Sequence, residues 1–273
     1  MIPLRDNIST DRFPVVTLVI IAINVAVFLF LQGPSLTLSG EDQVKVKPVA
    51  EYGLVPYRLT HPGKDCELTF PDDPSKQKLV CQGTEAHSQA RNDPVEKLRE
   101  PPAWQTLFTS MFMHGGWLHI IFNMLFLWIF GNNIEDAMGR VRYVLFYLLG
   151  GLAAAGLQVA VDTSATAPTI GASGAIAAVL GGYALLYPRA RVLTLVFLLL
   201  IFLVEIPALV LLGAWFVLQF LPAVGQLALA DKGTGGGVAY FAHVGGFVFG
   251  MALIKLFAQR RSSDYDQPRY PVY

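Results

Sequence analysis

Apolar runs of bilayer-crossing length recur through this chain, and they leave few architectures open to it. A spanning helix needs about 20 predominantly apolar residues, and in hydrocarbon only helices or closed barrels satisfy every backbone donor and acceptor. Runs of this kind place a first span over residues 14–31, a second over roughly 118–131 that starts as early as Gly115, a third over 143–161, a fourth over 173–187 and a sixth over 240–257. The stretch Val192–Phe220 is interrupted by Glu205 and Pro207. Its second half, 206–221, makes the fifth span; its first half reads as a re-entrant or interfacial segment. The expected fold is an all-α polytopic membrane protein with six transmembrane helices. Charged residues make up 15% of the 273, well under the roughly 25% of soluble domains. With a formal net charge of zero, nothing points to a nucleic-acid partner.

The chain then divides into an N-terminal tail (1–13), the first span (14–31), a long polar insert (32–103), a membrane core (104–258) and a C-terminal tail (259–273). The run Val15–Leu31 is long for the apolar part of a signal peptide, and no small-residue cleavage pattern follows it, so it reads as a span that stays. Arg5, Arg12, Arg140, Arg142, Arg189, Arg191, Lys255, Arg260 and Arg261 fall on one side of the spans. On the other side, loop 162–170 has no Lys or Arg and loop 230–237 has Lys232 alone. The positive-inside rule therefore places both termini in the cytoplasm and the insert outside. The insert holds the only cysteines, Cys66 and Cys81. In an oxidising compartment they could close a short loop; the alternative is two free thiols. His61 and His87 have no metal-ligand spacing to them and read as surface residues.

Chemistry concentrates at one depth. Ser173 lies between Gly171 and Gly174 where a polar loop enters the fourth span. There it meets unpaired backbone N–H groups and the positive end of the helix dipole. That setting suits a nucleophile whose attack creates an oxyanion, although it also fits a plain N-cap followed by a small-residue packing face. His119 and Asn123 share one face of the second span, His114 lies just before it, and His243 opens the sixth. All enter from outside, so they meet in one layer, and polar groups at such depth usually mark function or an interhelical bond. Ser173 would then be the nucleophile and His243 its base, with Asn123, His119 and the Ser173 N–H as oxyanion donors. No acidic residue shares this depth, so packing is expected to orient the imidazole. A zinc-protease His-Glu-x-x-His helix is absent, and no pair of intramembrane carboxylates exists, so no metal and no cofactor is expected.

The segments HGGWLHIIFN, GASGA and AHVGGFVFG, in this order, resemble the signatures of rhomboid intramembrane serine proteases. The resemblance covers about Trp104 to Leu256 and the first span. It implies hydrolysis of peptide bonds in or near transmembrane segments of membrane-protein substrates, within a six-helix core whose water-filled cavity opens outward. By motif position, Ser173 and His243 match the family's Ser–His dyad, His119 and Asn123 its oxyanion pair, His114 a further histidine lining the site, and Gly171 the glycine two before the serine. Glu135 matches an acidic position that ties helices together. The chain departs from the family where Gln105 follows Trp104, a position usually held by arginine, and where Ala177 replaces an aromatic residue against which the histidine packs. A bacterial inner membrane is the expected location. The alternative function is an inactive relative that binds membrane proteins for quality control; a transporter would want charged residues or broken helices near the midplane.

Overall fold

The apolar segments form helices that assemble around one short helix. The computed structural model describes residues 1–35, 44–70, 77–99, 101–197, 201–228 and 238–259; Lys232 and residues 260–273, Arg260 and Arg261 among them, lie outside these segments. The main helices are α1 (Val15–Gln32), α2 (Trp117–Met138), α3 (Arg140–Val161), α4 (Ser173–Leu186), α5 (Ala208–Ala228) and α6 (Tyr240–Phe257). Among the described residues, five of these, all but α4, are long and apolar enough to cross a bilayer. The segment expected as the fourth span is a 14-residue helix; at 1.5 Å per residue it is about 21 Å long, short of a hydrocarbon core of about 30 Å.

Helix α4 is the buried post of the bundle, with every residue from Gly174 to Leu186 except Leu185 buried. Its small residues explain how neighbours come so close. A methyl group on Gly246 of α6 would lie 2.0 Å from the Gly174 carbonyl oxygen, one on Gly250 2.0 Å from that of Ala178, and one on Gly181 2.1 Å from that of Phe247. Backbone therefore meets backbone along the whole α4–α6 seam, the geometry that small-xxx-small rows permit. On the other side, Gly150 and Gly151 of α3 admit Ala178 and Ala175 in the same way.

Helix α2 runs two turns beyond its expected end because polar residues there find distant partners. The Glu135 carboxylate accepts the N–H groups of Val16 (3.0 Å) and Thr17 (2.8 Å) and the Thr17 hydroxyl (2.8 Å). It thus supplies the side-chain cap that Pro14 cannot give to α1. Asp136 accepts the N–H of Asp11.

The first half of the apolar stretch after α4 is neither helix nor plain loop. Strands β5 (Arg191–Phe197) and β6 (Ile201–Pro207) form an antiparallel hairpin, and β1 (Ile2–Asp6), in the segment expected as a tail, pairs with β5. Val192 and Thr194 are wholly buried on the face turned to the bundle. Pro207, which lacks the N–H a helix interior needs, ends the hairpin immediately before α5.

The polar insert folds into a lobe. Strands β2 (Cys66–Thr69), β3 (Lys78–Cys81) and β4 (Val95–Lys97) form a sheet with β2 central. Short helices at Val46–Tyr52 and Pro56–Thr60 lead into it. Cys66 and Cys81 face each other in the β2–β3 ladder and are joined by a disulfide.

Candidate active site

Three helix ends deliver the polar residues. Ser173 is the first residue of α4, His243 lies in the first turn of α6, and His119 in the first turn of α2. The Ser173 hydroxyl is 2.7 Å from His243 Nε2, the reach required between a nucleophile and its base. Ring nitrogen Nδ1 of the same histidine is 2.8 Å from Gln219 Oε1 of α5. The amide oxygen can only accept, so Nδ1 carries the proton and Nε2 is free to receive one from serine.

The tautomer of His119 follows by the same logic. The backbone N–H of Gly115 donates to its Nδ1 at 3.2 Å, which leaves the proton on Nε2 as an outward donor. That Nε2 borders the same small volume as Ser173. The point where a Cβ would sit on Gly171 is 2.8 Å from His119 Nε2 and 3.4 Å from Ser173 Oγ. Gly171 has φ +130°, a conformation that residues with side chains rarely adopt, and its N–H donates to the Ser110 carbonyl at 2.9 Å. Glycine is thus required twice over, by backbone and by space.

Asn123, one turn further along α2, is 7% exposed, and its Nδ2 has no hydrogen-bond partner among the described residues. An unpartnered buried donor costs about 1–3 kcal/mol. His114 is fully buried and packs edge-on against His119 with ring centroids 5.0 Å apart. Its backbone is gripped by Gln32, whose side chain accepts from the His114 N–H (2.8 Å) and donates to its carbonyl (2.6 Å). His114 thus backs His119 rather than meeting Ser173. Cys66 and Cys81 lie in the lobe.

A profile of the rhomboid domain matches residues 101–260, more than half of the chain. The chain belongs to the rhomboid family. It is 30% identical over 150 residues to the mitochondrial Rhomboid protein 1 of Saccharomyces cerevisiae, covering 54% of this chain and 40% of that one. Over 168 residues it is 29% identical to the mitochondrial RHOMBOID-like protein 6 of Arabidopsis thaliana, with 60% and 47% of the two chains covered. A shorter match, 39% over 84 residues, is to Rhomboid protease GluP of Bacillus subtilis, covering 31% of this chain and 16% of that protein. The chain thus spans half or less of the length of these relatives. Membership and the five long apolar helices make it an integral membrane protein.

Two polar residues of this rhomboid escaped the sequence reading. Packing alone was expected to orient His243, and Trp215 does lie beside the ring, at 5.8 Å between centroids. Gln219, one turn on from Trp215, adds a directional hydrogen bond. The available signal was an amide inside an apolar helix, a residue that in a membrane should have a partner. Gln32, at the end of α1, carried the same signal.

Proposed function

We propose that this rhomboid is an intramembrane serine endopeptidase that hydrolyses peptide bonds in or near transmembrane segments of membrane-protein substrates. The observation that carries the reading is the 2.7 Å contact between Ser173 Oγ and His243 Nε2, with the proton on Nδ1 held by Gln219. Ser173 Oγ attacks the scissile carbonyl carbon as His243 Nε2 takes its proton. The oxyanion accepts from the Ser173 N–H, from His119 Nε2–H and from the Asn123 amide, whose unpartnered state fits a donor awaiting an acceptor. His243 then returns the proton to the leaving amine, the peptide C–N bond breaks, and an acyl-serine ester remains. Water, deprotonated by the same imidazole, cleaves that ester and restores Ser173. Ser173, His119 and His243 are each partly exposed, which fits access by water.

Within this reading α4 is the sixth member of a six-helix core, short because its serine end opens into a cavity. The distribution of arginines fits cytoplasmic termini and a site mouth on the extracytoplasmic side, in a bacterial inner membrane. Full-length protein in proteoliposomes with a single-span reporter substrate tests the proposal. Wild type should yield a product band that Ser173→Ala and His243→Ala do not. A band surviving in Ser173→Ala would refute the mechanism. Failure of wild-type Ser173 to react with a fluorophosphonate probe would favour a non-catalytic binding protein.

A further inference from the structure

The loop that delivers Ser173 does not stand alone. From Thr163 to Thr169 it is bonded at three places to the segment that opens the extracytoplasmic lobe. Leu54 and Thr169 exchange both backbone hydrogen bonds, at 3.0 and 2.7 Å, as an isolated antiparallel bridge. The Tyr57 N–H donates to the Ala165 carbonyl at 3.0 Å, and the Thr60 hydroxyl donates to that of Thr163 at 2.7 Å. Gly53 closes the contact. A methyl group there would lie 2.9 Å from Pro168 Cβ and 3.0 Å from Ile170 Cγ2, immediately before Gly171 and the site.

The same segment is fixed from behind by the disulfide. Val55 and Tyr57 form one buried cluster with Cys66 and Cys81, and the Tyr57 hydroxyl donates to the Gln82 carbonyl, the residue after Cys81, at 2.9 Å. An unbroken path of contacts therefore runs from Cys66–Cys81 through Tyr57 to Ala165, and along the loop to Gly171 and Ser173.

We propose that the disulfide-closed lobe is a clamp that sets the geometry of the nucleophile's loop, with Gly53, Leu54, Tyr57 and Thr60 as positioning residues. The proposal rests on the reading of Ser173 as a nucleophile. Physically, residues 163–169 span the gap between α3 and α4, and without the lobe several of their backbone groups would turn to water. Gly171 would then be anchored by its bond to Ser110 alone. Movement at Gly171 shifts the volume between His119 Nε2 and Ser173 Oγ, where the oxyanion must fit, and misplacement by 1 Å can reduce a rate by about 10²-fold.

Two variants of the full-length protein in proteoliposomes test this. Gly53→Ala pushes a methyl group onto Pro168 and Ile170, and against the Val49 carbonyl, with the disulfide left in place. The double variant Cys66→Ser/Cys81→Ser releases the pin and keeps the loop contacts. Hydrogen–deuterium exchange over residues 163–171 and the rate of fluorophosphonate labelling at Ser173 are read together, with reporter cleavage separating kcat from KM. The clamp requires exchange in 163–171 to rise about tenfold in at least one variant while the helices stay protected. In that variant labelling and kcat should fall by about tenfold, with KM little changed. Unchanged exchange in both variants overturns the proposal, as does faster exchange with undiminished labelling. If wild type takes no label, the serine-nucleophile reading falls, and the exchange data alone still decide whether the lobe holds the loop.

Discussion

His243 is held from both sides: Gln219 Oε1 faces its Nδ1 at 2.8 Å and Ser173 Oγ faces its Nε2 at 2.7 Å. In serine hydrolases with a triad, a carboxylate fixes the tautomer and also balances the charge of the imidazolium. An amide does the first and not the second. In the proposed mechanism α5, which carries Gln219, therefore bears on the chemistry as well as on the wall of the bundle. If α5 moves outward, the Nδ1 anchor leaves with it.

Replacing Gln219 with Leu removes the acceptor while keeping an apolar helix face. A neutral hydrogen bond contributes about 0.5–1.5 kcal/mol net, so kcat should fall by about two- to twelvefold, far less than in Ser173→Ala. Gln219→Glu keeps an acceptor at equal reach and should restore most of the rate. Reporter cleavage with purified variants measures both; a Gln219→Leu enzyme as fast as wild type would remove Gln219 from the mechanism.

Gly171→Ala meets two penalties. Its φ of +130° strains any side chain, and the new methyl would sit 2.8 Å from His119 Nε2. Strain of this kind costs about 1–3 kcal/mol, and the oxyanion space is filled in addition. Labelling of Ser173 and reporter cleavage should both drop by about 10²-fold or more, while circular dichroism shows the helices intact. Near-wild-type labelling would mean that the loop can relax away from His119.

Much of this architecture was legible because membrane helices make polar residues conspicuous. Ser173, His119 and His243 stood out in apolar surroundings at one depth, and α6 occupies residues 240–257, as its apolar run implies. The glycine row of that helix, Gly246 and Gly250, meets α4 as its spacing suggests. What stayed hidden depends on partners far away in the chain. The hairpin β5–β6 comes from a largely apolar stretch, broken only at Glu205 and Pro207 near its end, with no period to separate strand from helix. The apolar run of the second span stops at residue 131, short of the end of α2 at Met138, because its polar last turns are held by contacts such as that of Glu135 with a helix 118 residues earlier. Gln219 belongs to no motif, and its role exists only once α5 and α6 are side by side.

Asn123→Ala tests the unpartnered amide. Loss of one oxyanion donor typically costs about 2.7–4 kcal/mol, or 10²–10³ in kcat, and should leave KM nearly unchanged. Because Nδ2 has no partner among the described residues, its removal should not destabilise the fold. A thermal unfolding midpoint at or above that of wild type, together with the slow turnover, would bear out both halves. Unchanged turnover would make Asn123 a packing residue.

Gly250→Ala bears on the seam between α4 and α6. Its methyl would fall 2.0 Å from the Ala178 carbonyl oxygen, a backbone atom that no side-chain rotation can move away. Overpacking of this kind typically costs about 1–3 kcal/mol, and here the two helices must separate. Unfolding in mild detergent should occur at lower temperature than in wild type, with labelling of Ser173 reduced in parallel. A midpoint equal to that of wild type would mean that the seam is looser than its backbone contacts indicate.

At the opposite end of the bundle, Asp6 of β1 accepts hydrogen bonds from the Asn133 amide and the Tyr183 hydroxyl. Burial nevertheless lifts its carboxyl from the usual 3.8 to about 6. A carboxyl that binds its proton more tightly in the folded state favours folding when protonated. Its contribution therefore grows as pH falls through 6 and disappears as pH rises above it. Between about pH 7.5 and about pH 5 the difference amounts to about 1.4 kcal/mol. Asp6→Asn keeps an acceptor for Tyr183 and abolishes the titration. Unfolding of the two proteins in the same detergent at both pH values isolates this group from every other that titrates. Wild type should gain stability relative to Asp6→Asn on acidification; equal gains in the two proteins would show that Asp6 is hydrated and titrates near its ordinary value.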